Sequence, residues 1–87
     1  MKLLVNKNTM LKLHKLSKEY NNEIILDENS ALGQYFKNNY KIEVVLDKTK
    51  MNNEIEIIED RNRKSLFTNY EIFINSLKDK EINNNEN

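Results

Sequence analysis

The feature that most constrains the fold is a pair of short segments in which apolar and polar residues alternate. In Lys41 to Asp47, Ile42, Val44 and Leu46 point one way, and in Asn53 to Asp60, Ile55 and Ile57 do the same. A period of two is the mark of half-buried strands. Pairing Leu46 with Ile55 and Val44 with Ile57 aligns the apolar faces and predicts an antiparallel hairpin with Thr49 to Asn52 as its loop. A tighter turn at Asn52 and Asn53 is chemically available, because Asn accepts positive φ, but it would oppose Lys48 and Lys50 to the two isoleucines. Register follows what is buried, so the longer loop is preferred.

Helices are predicted on either side of this ribbon. Residues 2 to 5 read as a short strand, after which Asn8 or Thr9 caps a helix running to about Tyr20, with Met10, Leu13, Leu16 and Tyr20 as its buried stripe. Asn21 and Asn22 end it, since Asn tolerates the left-handed conformation. Glu23 to Asp27 is expected to form a second strand. Asn29 or Ser30 then caps a short helix that buries Leu32, Tyr35 and Phe36 and closes at Asn38 and Asn39, although Gly33 weakens it. A last helix from about Ser65 to Lys80 presents Leu66, Phe67, Tyr70, Phe73, Ile74 and Leu77 as a wide stripe, with Ile72 off it. The expected order is β-α-β-α-β-β-α, a small α+β fold whose antiparallel sheet is covered on one face by the C-terminal helix. Residues 1–82 are expected to form one domain, with Asn83 to Asn87 as a disordered polar tail. The alternative for residues 1–40 is an all-helical arrangement.

Composition limits the chemistry. The 87 residues contain no Cys and one His, so stability rests on packing and neither a thiolate nor a histidine cluster can hold a metal. His14 lies beside the apolar stripe without a visible partner, which favours a packing or surface role. One Gly, Gly33, cannot build a phosphate loop; the segment after Asp47 lacks the oxygen ligands of a calcium loop; Ser17, Ser30, Ser65 and Ser76 lack a nucleophile elbow. Neither an enzyme nor a cofactor is expected. The longest aliphatic runs, such as Leu3 to Val5, have three residues, too short to cross a bilayer, and the apolar stretch after Lys2 stops at Asn6, too short for a secretory signal. A cytoplasmic protein is expected. Abundant Asn, Lys and Ile, with A/T-rich codons, suggest a low-GC bacterium, a phage or another mobile element.

The net charge of zero conceals an uneven distribution. Residues 1–22 carry a net of +4 and residues 23–60 a net of −5, which predicts two unlike surfaces. The outward face of the expected hairpin displays Glu43, Val45, Asp47, Glu54, Glu56 and Ile58, acids around two aliphatic side chains, with Asp47 opposite Glu54 as a like-charge pair. This face suits docking to a larger protein with a basic surface, such as a nucleic-acid enzyme that an acidic ribbon could inhibit; an anti-defence inhibitor is one such setting. The rival surface, Lys12, Lys15 and Lys18 with Arg61, Arg63 and Lys64, could follow a phosphate backbone as a small DNA- or RNA-binding regulator, but lacks interleaved aromatic residues for stacking. A homodimer of structural role is the third reading.

Overall fold

A computed structural model describes residues 1–24, 26, 28–37, 42–59 and 64–77, with Ala31 described by its backbone alone. The fold is α+β, with strands β1 (Lys2–Val5), β2 (Glu43–Leu46), β3 (Glu54–Ile58) and β4 (Ser65–Asn69). Helices α1 (Lys7–Glu19) and α2 (Ala31–Lys37) lie between β1 and β2, and α3 (70–77) follows β4. The order is therefore β-α-α-β-β-β-α. The expected tail at Asn83 to Asn87 and the helix end at Asn38 and Asn39 lie outside the described residues.

The hairpin expected between β2 and β3 does not form. The strand order is β2-β1-β3-β4, so β1 separates the two, parallel to β2 and antiparallel to β3. Leu3 aligns with Val44 on one side and with Ile57 on the other. Matching the apolar faces of β2 and β3 was sound, but another strand fills the space between them. The physical reason is burial: Leu3 and Val5 are completely inaccessible and Leu4 is half-buried, so this apolar strand takes a central position. The opposition of Asp47 and Glu54 disappears with the hairpin. Leu46, expected in the core, is 45% exposed at the end of an edge strand.

Two further boundaries differ from expectation. Glu23, Ile24 and Leu26 carry no strand structure, although Leu26 is buried and Ile24 packs against the core. Ser65–Asn69 is a strand and not the first turn of the last helix: Leu66 and Thr68 align with Ile57 and Ile55, while Phe67 turns outward and is 64% exposed. The helix begins after Asn69, whose Oδ1 accepts from the Ile72 N–H at 2.9 Å as an N-cap. Its Phe73 and Leu77 are then fully buried, Tyr70 and Ile74 partly, and Ile72 is exposed.

Helix α1 starts two residues earlier than the sequence indicates, because Asn6 is the cap and its Oδ1 accepts from the Thr9 N–H. Asn21 and Asn22 terminate it with φ of 54° and 66°. Ser30 caps α2 through the Gly33 N–H at 2.8 Å. Leu13 and Leu16 of α1, Leu32 of α2 and Phe73 and Leu77 of α3 form one core with Leu3, Val5, Ile55 and Ile57 of the sheet. Phe36 and Phe73 meet edge to face, with centroids 5.9 Å apart. The helices thus cover one face of the sheet and, among the described residues, leave the other open.

The 47–53 connection passes beneath the start of α1, where asparagines hold it. The Asn52 Oδ1 accepts from the side-chain amides of Asn6 at 2.6 Å and Asn8 at 3.2 Å. Asn53, at φ 70°, donates its N–H to the Thr9 Oγ1 at 2.9 Å and accepts from the Tyr70 N–H at 2.7 Å. A left-handed Asn therefore joins α1, β3 and the start of α3.

Candidate protein-binding face

Side chains alternate across a strand, so the register defines the open face row by row. One row holds Glu43, Lys2, Ile58 and Ser65, and the next holds Val45, Leu4, Glu56 and Phe67. Glu54 and Asn69 continue it on β3 and β4. The predicted residues Glu43, Val45, Glu54, Glu56 and Ile58 thus share one face after all, with β1 between their strands. Asp47 lies just past β2, where its N–H donates to the Val5 carbonyl at 2.7 Å.

The centre of this face is neutralised internally. The Lys50 ammonium reaches over from the 47–53 connection to Glu56 Oε1 at 2.5 Å, lies 3.8 Å from Asp47 Oδ2 and sits 5.6 Å from the centroid of the Phe67 ring. The Ser65 hydroxyl donates to the other oxygen of Glu56 at 3.1 Å. The Lys50 and Glu56 side chains are only 13% and 16% exposed. The hydrogen bond to Glu56 holds the Lys50 ammonium above its ordinary pKa, against some desolvation. Asp47 is held below the usual carboxylate range, first by the Thr49 hydroxyl at 2.6 Å and then by the Thr49 N–H at 2.9 Å. Glu43 and Glu54 remain without an ion-pair partner among the described residues.

Sequence reasoning missed Lys50, Phe67 and Leu4 as parts of this face. Phe67 was absorbed into a helical stripe, and Leu4 and Lys50 become neighbours of the acids only once β1 enters the sheet. The alternation of Leu66, Phe67 and Thr68 before a capping Asn69 was the available signal for an outward Phe67.

The basic surface is less coherent. Lys12, Lys15 and Lys18 are exposed on α1, but the Lys12 ammonium donates to Asn53 Oδ1 at 2.8 Å and lies 5.1 Å from the Tyr70 ring centroid. Burial, with the nearby Glu19 charge, raises the Tyr70 pKa. Lys64 is exposed at the start of β4, and Arg61 and Arg63 lie outside the described residues. His14 is exposed on α1. Among the described residues no group of three His, Cys, Asp or Glu could hold a metal, and no helix is long and apolar enough to cross a membrane. The chain matches no family model, no curated protein and no solved structure.

Proposed function

We propose that this chain is a non-catalytic protein-binding module that docks a larger, basic protein through the open face of its sheet. The observation that carries the reading is the exposed Phe67 ring on the face that no described helix covers, which extends the row of Leu4 and Val45 beside Glu43 and Glu54, acids without an ion-pair partner among the described residues. An aromatic anchor within a charged surround is the composition of an interface centre, where apolar contact holds and charge steers. The acids disfavour a phosphate backbone at the same place. Acting in the cytoplasm, such a face would compete with nucleic acid for a basic groove. The role proposed is therefore inhibition of a nucleic-acid enzyme by occupancy, with host defence or a mobile element as its setting.

The test is affinity capture from the native host, comparing the wild-type chain with two double variants. Val45→Lys with Glu54→Lys should weaken capture by about tenfold or more, since like charges across an interface cost several kcal/mol. Lys15→Glu with Lys18→Glu should leave capture intact; Lys12 is excluded because it also holds Asn53. Loss of binding in the helix variant alone, with random duplex DNA as the captured species, would refute the reading.

A further inference from the structure

Strand β4 is an edge, and its hydrogen-bonding groups can be assigned from the ladder. At one end Tyr70 N–H donates to the Asn53 carbonyl at 2.7 Å, and at the other Glu59 N–H donates to the Lys64 carbonyl at 3.1 Å. Hydrogen-bonded pairs alternate in an antiparallel ladder, so Leu66 and Thr68 turn their N–H and C=O groups toward β3. Ser65, Phe67 and Asn69 turn theirs away from the sheet. All three residues are exposed; the Asn69 carbonyl, as that of an N-cap, is taken by the first turn of α3, and the other outward main-chain groups have no partner among the described residues.

Edges are ordinarily blunted by charge, proline, a bulge or brevity. Ser65–Asn69 has no charged residue, no proline and an unbroken register with β3. The opposite edge, β2, is a residue shorter and carries Glu43. We propose that β4 pairs with β4 of a second copy of this chain, antiparallel about Phe67, joining the two four-stranded sheets into one. Ser65, Phe67 and the Asn69 N–H then exchange about four main-chain hydrogen bonds with the second copy. Phe67 meets its own copy across the two-fold axis, an aromatic cross-strand pair, and Ser65 faces Asn69. The self-complementary residues favour a second copy over an unrelated strand. The two open faces become continuous, so a larger partner would meet two anchors side by side.

Sedimentation equilibrium of the full 87-residue chain tests this without any partner, so its failure leaves the docking reading untouched. Because a single strand pair buries less than the roughly 1,200 Å² of stable interfaces, a reversible monomer–dimer equilibrium is expected between about 10 μM and about 1 mM. Phe67→Pro deletes an N–H that β3 does not use, and Phe67→Lys adds a like charge at the axis; each should raise the dissociation constant about tenfold or more. Phe67→Lys decides the matter if the proline variant fails to fold. Leu46→Lys on β2 should have no effect. Hydrogen exchange at the Phe67 amide should slow as concentration rises, which a dimer held by side chains alone would not produce. A wild-type monomer throughout, unchanged dimerisation in Phe67→Lys, or Phe67 exchange that ignores concentration would overturn the proposal.

Discussion

Two threonines make one chemical substitution act in opposite directions. Thr68 faces the core from β4 opposite Ile55, and its Oγ1 is buried without a hydrogen-bond partner among the described residues. Thr9 is fully buried in α1, and its Oγ1 accepts the N–H of Asn53 from the 47–53 connection. Valine has nearly the same shape as threonine and replaces the hydroxyl by a methyl. Thr68→Val therefore removes a desolvated polar atom that gains nothing, and stability should rise by about 1 kcal/mol, the low end of the desolvation cost of an unsatisfied group. Thr9→Val removes one half of a satisfied pair and strands the Asn53 N–H, which should cost about 1 to 3 kcal/mol. Helix propensities of Thr and Val are nearly equal, so the second effect is not a helix effect. For a domain of this size each kcal/mol moves Tm by about 4 to 8 °C. Thermal and urea unfolding followed by circular dichroism should place Thr68→Val above wild type and Thr9→Val below it, with the same urea slope. If both variants shift in the same direction, or if Thr9→Val melts as wild type, the hydrogen-bond assignments at these positions are wrong.

Phe73→Ala should lower stability by about 3 to 5 kcal/mol, because the ring is fully inaccessible and packs edge to face on Phe36; urea unfolding close to that of wild type would remove Phe73 from the core. In a pH titration followed by carboxyl NMR, Asp47 should titrate below the ordinary range for Asp, and Thr49→Ala should bring it back up by removing the first cause of the shift. Because the folded pKa is depressed, the stability linked to Asp47 is present above the unfolded value of 3.8 and is lost as pH falls through the folded one. An Asp47 midpoint unmoved by Thr49→Ala would refute the turn geometry.

Local patterns were legible wherever one residue and its near neighbours decide the outcome. The left-handed Asn21 and Asn22, the Ser30 cap of α2, the buried stripe of α1 and the outward parity of Glu43, Val45, Glu54, Glu56 and Ile58 all follow from spacing along the chain. The boundary at Ser65–Asn69 was not, because Leu66, Phe67 and Tyr70 satisfy a helical stripe while Leu66 and Thr68 also satisfy a strand. A five-residue segment carries too few positions to separate the two periods, and pairing with β3 selects the strand.

By itself the sequence determined that the chain is α+β, which residues of β2 and of β3 share a face, and that acidic and basic residues occupy different stretches. Only the tertiary structure decided which strands are neighbours. Alternation sets the two faces of a strand but says nothing about what lies along its edges, where every residue presents the same backbone groups. Insertion of β1 between β2 and β3 buries Leu3 and Val5 completely, a gain that a local hairpin could not offer. The same insertion leaves β4 at the edge with Phe67 in solvent, and brings Lys50 across the open face to Glu56.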